Sequence, residues 1–156
     1  MPTFSSDIYA KQANPTLANR NAGVREAGTL MFATSVYTML GTEAAGDKIN
    51  IVKLPQGCII DPSHCTVVTD GIAGTATVDV GDDDVAGVGA AADVDRYADG
   101  LDVAAAGVDR FDSIAAAARL TPYTLGADSI IVATLVTLVT PVAARKLVFR
   151  IGYLAF

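Results

Sequence analysis

The fold class predicted is all-β, an antiparallel β-sandwich or jelly-roll-like barrel with short helical turns and an extended N-terminal arm. Three observations carry that prediction. Apolar and polar residues alternate with a period of two in the best-defined segments, as in Thr75 to Gly81, where Ala76, Val78 and Val80 face one way and Thr75, Thr77 and Asp79 the other. Segments of this kind, roughly seven to nine of them, are separated by Gly, Pro, Asn and Asp, the residues that turns require. Helical stretches are too few for a βαβ arrangement, and no internal repeat is present.

Taken in order, residues 1–28 have no sustained apolar period and are punctuated by Asn14, Asn19, Asn21, Pro2, Pro15, Gly23 and Gly28. They read as an arm, and residues 29–156 as the sandwich domain. Thr29 to Leu40 is a strand rich in β-branched and aromatic residues, and Gly41 to Gly46 a turn. Asp47 to Leu54 is a strand closed by the turn Pro55-Gln56-Gly57. Cys58 to Asp61 and Ser63 to Thr69 are short strands split by Pro62, and Thr75 to Gly81 follows. Residues 82–120 break the pattern. Within them Asp102 to Gly107, with Asp102 as N-cap and Gly107 past the end, predicts one helical turn, and Asp112 to Arg119 another. Pro122 to Leu125 is a short strand. Ser129 to Thr140 is a strong one, apolar on both sides, as expected of a strand central to a sheet or covered by a neighbouring subunit. Arg145 to Ala155 places Leu147, Phe149, Ile151 and Tyr153 inward and Lys146, Val148 and Arg150 outward.

A chain of 156 residues suffices for one domain with a core. Apolar residues make up 51% and charged residues 18%, a smooth composition that favours an oligomer or a docked subunit. The two-sided apolar run Ile130 to Val139 points the same way, to a homo-oligomer with a trimer favoured. The net charge of −6 is uneven: from Asp70 to Asp112 eleven Asp stand against Arg96 and Arg110, so this stretch carries −9 and the remainder +3. Such a field repels phosphate and argues against nucleic acid and anionic membrane surfaces as partners. Met1 to Tyr9 lack the basic and apolar regions of a secretory leader, and Ile130 to Ala144, interrupted by Thr134, Thr137, Thr140 and Pro141, is too short and Thr-rich for a membrane helix. A soluble protein made in the cytoplasm is expected, with Cys58 and Cys65 reduced.

Chemistry-bearing constellations are sparse. Cys58, His64 and Cys65 supply three soft ligands, with no further His or Cys for a structural zinc site, and read as core-facing thiols beside a strand-edge His. Gly81-Asp-Asp-Asp84, with Asp79, Asp93 and Asp95, has the composition of a calcium site but not the alternating spacing of an EF-hand, and reads as a solvated acidic loop. A Ser-His-Asp hydrolase would need His64 as its base and a serine without a Gly-x-Ser-x-Gly elbow; phosphate-cradling glycine motifs are absent. No catalytic, cofactor-binding or metal-binding residue is therefore assigned. The partner-binding candidates lie in the arm: the apolar anchors Phe4, Ile8 and Tyr9, and the cations Arg20 and Arg25, opposite in sign to the acidic body.

The order of several segments, Leu54-Pro-Gln-Gly57, Thr77-Val-Asp-Val-Gly81, Asp93-Val-Asp-Arg-Tyr-Ala-Asp-Gly100 and Val103-Ala-Ala-Ala-Gly107, resembles small tailed-phage head proteins, the capsid decoration or cement proteins. Asp128-Ser-Ile-Ile-Val-Ala-Thr134 and Lys146-Leu-Val-Phe-Arg-Ile-Gly-Tyr153 are similar to their last two strands. The resemblance spans about residues 47–155 and departs at Asp82-Asp-Asp84 and at Pro141. It implies a subunit on the outside of an assembled capsid that clamps neighbouring major capsid protein subunits, often as a trimer, and hence a virion location. A tail, fibre or baseplate protein on the same sandwich is the alternative. A carbohydrate-binding module ranks below both, because Tyr37, Tyr97, Tyr123 and Tyr153 are scattered along the chain and Trp is absent.

Overall fold

The computed structural model describes residues 29–84, 92–111 and 122–155. The arm, 1–28, and the helical turn expected at Asp112 to Arg119 lie outside the described residues. Those described form ten strands in two antiparallel sheets and one 3-10 turn, the all-β jelly-roll-like fold expected. The strands are β1 (Thr29–Thr38), β2 (Lys48–Leu54), β3 (Ile59–Ile60), β4 (Thr66–Asp70), β5 (Thr75–Asp84), β6 (Asp93–Asp102), β7 (Ala106–Arg110), β8 (Tyr123–Thr124), β9 (Ser129–Val139) and β10 (Lys146–Ala155).

The larger sheet is built on β10. Along one edge β10 pairs with β1 over its whole length, Thr29 opposite Ala155 to Thr38 opposite Lys146. Its other edge is shared by β4, at Leu147 to Arg150, and β3, at Tyr153 and Leu154; β7 and β8 extend the sheet beyond these. The smaller sheet runs β2-β9-β5-β6. The chain changes sheet at most connections, so neither sheet can form from a contiguous stretch.

The period of two decides what is buried. β1 alternates half-buried and exposed along its length, and in β10 Leu147, Phe149 and Ile151 are fully buried. They pack against Ile131, Ala133 and Leu135 of β9, Val78 and Val80 of β5, and Ile49 and Ile51 of β2 in one core. In β2 the register shifts between Asn50 and Val52, leaving Ile51 as an extra residue. That bulge is why the buried positions run Ile49, Ile51, Leu54 rather than continuing on odd numbers. β9 lies between β2 and β5, a central strand as expected, and its Val136 and Val139 remain exposed.

Three expectations are corrected. The described part of residues 82–120 does not abandon the sheet: β5 continues to Asp84, and β6 and β7 are paired strands. Asp102 to Gly107 is not helical. Val103 donates its N–H to Ala76 and accepts from Ile72, so its backbone bonds run across the sandwich; the Asp102 carboxylate caps a turn instead, accepting from Ala104 N at 2.9 Å. The strand expected from Ser63 begins only at Thr66. Asp61 accepts from Ser63 N at 3.0 Å and Pro62 occupies the first helical position, so Pro62–His64 winds as a 3-10 turn and His64 sits there rather than on a strand edge. Among the described residues no helix is long and apolar enough to cross a membrane.

Candidate interface

The outer face of the larger sheet is where the structure leaves apolar side chains uncovered. Register places Val36 of β1 opposite Val148 of β10, Val148 opposite Val68 of β4, and Val68 opposite Val108 of β7. Four valines from four strands thus form one row across the sheet, with Val36 59%, Val68 40% and Val108 62% exposed. Two residues along, the next row on the same face is Thr34, Arg150, Thr66 and Arg110. Further on, Phe32 and Leu30 stand exposed opposite Gly152 and Leu154. On the other side of the valines lie Thr38 and Lys146, with Asp70 at the end of β4. A contiguous face that is apolar in the middle and cationic at its sides is a recognition surface in composition.

Its neighbours hold it in shape. Gly152 is a glycine because His64 lies over it: a Cβ there would come within 2.6 Å of His64 Cβ and 2.8 Å of the His64 carbonyl oxygen. The Arg110 guanidinium donates to the Ser63 carbonyl at 2.9 Å. After β1 the Glu43 carboxylate accepts from the N–H groups of Leu40 (2.6 Å), Gly41 (2.8 Å) and Thr42 (3.1 Å) and from the Tyr37 hydroxyl (2.8 Å). Burial alone would raise the Glu43 pKa, but these donors hold it below the usual carboxylate range. Burial, with Glu43 beside it, pushes Tyr37 up to about 12. Gly41 takes φ +84°, which a side chain would strain, and the fixed turn presents Leu40 at 71% exposure.

The smaller sheet treats its charges differently. Asp82, read from sequence as part of a solvated acidic loop, is 4% exposed and belongs to β5. It accepts from Arg96 Nε at 2.8 Å and from the Tyr97 hydroxyl at 3.4 Å. Arg96 stacks 4.1 Å over the Tyr123 ring, which meets Tyr97 edge-on at a centroid distance of 6.2 Å. Tyr123 belongs to the other sheet, so this cluster clips the two sheets together. Burial first, then the Asp82 charge, drives the Tyr97 pKa far upward and keeps its hydroxyl a donor. Asp83 pairs with Lys48 at 2.6 Å, and Asp79 accepts from Gly100 N at 2.7 Å. The tyrosines scattered in sequence are thus partly gathered in space, as Tyr97 and Tyr123, with Tyr97 buried.

Asp61, Ser63 and His64 also meet, but not as a hydrolase would arrange them. His64 Nδ1 lies 2.9 Å from Asp61 Oδ2 and 3.0 Å from Ser63 Oγ. A triad sets acid and nucleophile on opposite ring nitrogens; here both share one. Asp61 is held below its usual pKa, against the effect of burial, by Ser63 and His64. Cys58 and Cys65 are buried in the core, as expected; burial raises the Cys58 pKa, and Cys65 Sγ accepts from Gly152 N at 3.3 Å.

Phe4, Ile8, Tyr9, Arg20 and Arg25 lie outside the described residues. The valine row was missed as a site, although its signal was present. Thr29 to Leu40 is apolar on both alternating faces, and Val148 reads as outward.

No family model matches the chain, and no curated protein matches it at a significant level. Solved structures do resemble it. A chain in the capsid of Ralstonia phage GP4 superposes with a TM-score of 0.67 at 18% identity, over 83% of this chain and 86% of that one. A chain in the cyanophage Pam1 capsid asymmetric unit superposes with a TM-score of 0.54 at 20% identity, again over 83% of this chain and 86% of the other. Over more than four fifths of both chains, this protein has the fold of a chain found in these two phage capsids.

Proposed function

We propose that this chain is a structural protein of a phage virion, seated on the outer surface of the assembled capsid, where it stabilises the shell by bridging neighbouring major capsid protein subunits. The observation that carries this reading is the shared fold with a chain of the GP4 capsid over 83% of its length. The head-protein resemblance of residues 47–155 points to the same class independently of the superposition. A bridging protein acts by differential binding: its site exists only where subunits have come together, so binding favours the assembled shell by the mass action of the bound state. A rigid two-sheet core and a face of low charge serve that role, and it needs no catalytic step and no cofactor. The arm, with Phe4, Ile8 and Tyr9 as anchors and Arg20 and Arg25 as cations, adds reach to a neighbouring subunit, and a homotrimer would multiply the contacts.

Electron microscopy of the native particle is the test. Density for this fold on the outside of the head, touching two or more shell subunits, is the expected result; density on the tail or baseplate would overturn the head assignment. Deleting residues 2–25 should leave a folded body and weaken its attachment. Unchanged decoration by the truncated chain would remove the arm from the reading.

A further inference from the structure

We propose that the outer face of the six-stranded sheet is the attachment face, and that its occupant is an apolar surface of the capsid shell carrying carboxylates opposite Arg150 and Lys146. The proposal rests on the capsid reading above and names the surface and chemistry which that reading leaves open.

Three observations select this occupant. The first is charge. In a chain of net −6, the outward residues of this face include Lys146, Arg150 and Arg110 against Asp70, so the face is locally cationic. Two copies meeting through this same face would bring cationic margins together, whereas an apolar patch with acidic margins would be complementary. The second is area. Three rows of four strands and two rows of two, with strands about 4.8 Å apart and rows about 6.8 Å apart, cover roughly 500 Å². A stable free pair of proteins needs about 800 Å² on each side. The face is therefore too small to hold a free dimer by itself. It suffices for a chain that makes further contacts on a lattice. The third is preorganisation. Val148 sits on a strand paired along both edges, and Leu40 is presented by a turn that Glu43 bonds at three backbone N–H groups. Little side-chain or loop ordering remains to oppose binding.

The experiment uses the full chain and heads of the parent phage assembled without it. Val36→Asp with Val108→Asp, and separately Arg150→Glu, are compared with Val136→Asp, an exposed valine (46%) on the smaller sheet. Co-sedimentation should show the two larger-sheet variants binding heads about tenfold or more weakly. The control should bind like the wild type, and all should keep the wild-type thermal unfolding and sedimentation coefficient. Arg150→Glu should also reduce the salt dependence of binding. Loss of binding in Val136→Asp with retention in the other two would assign attachment to the opposite face and overturn the proposal while leaving the capsid reading intact. A changed oligomeric state of free Val36→Asp/Val108→Asp would make the occupant a second copy and overturn it too. Failure of the wild type to bind heads at all would overturn the capsid reading and the proposal together.

Discussion

The two sheets handle the same problem, an outer face that must meet solvent, in opposite ways. The four-stranded sheet carries most of the acidic stretch and pairs its carboxylates within the chain: Asp83 with Lys48, Asp79 with the Gly100 amide and, buried, Asp82 with Arg96. The six-stranded sheet leaves Leu30, Phe32, Val36, Val68 and Val108 in water. Among the described residues the four-stranded sheet leaves fewer large apolar side chains exposed, Val136 and Val139. The other retains apolar area that stands exposed among the described residues. Interior energetics should therefore be sensitive to substitution around the acidic cluster and indifferent to it on the valine row.

The largest effect should follow from Asp82→Ala. It removes the shorter of the two ion pairs of the Arg96 guanidinium, leaving Asp93 at 3.5 Å, and takes away the Tyr97 acceptor; breaking a buried pair costs about 3–5 kcal/mol, and the remaining partner puts this variant near the lower end. Urea unfolding should show the loss, and Asp82→Leu with Arg96→Met should recover part of it, since an apolar pair leaves no unpaired charge. A cost under about 1 kcal/mol for Asp82→Ala would mean that the cluster is solvated after all.

Gly152→Ala comes next. Its added methyl meets His64 Cβ and backbone, and overpacking of this kind costs about 1–3 kcal/mol. Calorimetry should report a lower unfolding temperature. Unchanged stability would show that the Pro62–His64 turn shifts freely.

Glu43→Gln should cost about 1 kcal/mol near neutral pH and change both ends of the pH profile. The folded-state pKa of Glu43 lies below its ordinary 4.5, so the stability it contributes is present above that value and lost as pH falls through the depressed one. The variant should lose that part of the acid limb, while Asp61 still contributes. The folded-state pKa of Tyr37 is raised to about 12 from 10, so its contribution is present below pH 10 and lost as pH rises toward 12. Without the Glu43 charge that alkaline loss should narrow. Chemical denaturation across pH is the measurement, and parallel profiles for the two proteins would contradict both assignments.

The smallest effect should come from Val108→Thr, within about 0.5 kcal/mol, because the side chain is 62% exposed and already solvated. A larger loss would mean that the valine row is structural.

Strands whose alternation is uninterrupted were legible face by face: β5 as far as Gly81, and β10, with Leu147, Phe149 and Ile151 inward as expected; β1 and β9 were legible as strands without a face, and β9 carries an extra residue, Val136, against β5. β6 was not, for a physical reason. Val80 pairs with Ala98 but Asp82 pairs with Asp93, so β6 carries extra residues that break its period. Gly81 then sits where a Cβ would overlap the Asp93 carbonyl, an approach that only the paired strands reveal. Asp102 has a helix-cap residue type, and type alone does not say whether the backbone bonds run along the segment or across it. The candidate interface was hidden for another reason: Val36, Val68, Val108 and Val148 become one row only through three strand registers, which no single segment encodes.

The pairing of β1 with β10 has a consequence in time. β1 lies more than a hundred positions before its partner, and β10 also supplies the edge on which β3 and β4 assemble. During synthesis, everything upstream must wait: until residues 146–155 leave the ribosome, the larger sheet has no centre and Phe32 and Val36 have no neighbouring strand. Such non-local pairing folds slowly, on a scale of about milliseconds to seconds. A chain stalled before Lys146 therefore exposes an apolar strand with both edges unpaired among the described strands, and is open to mispairing with other nascent chains.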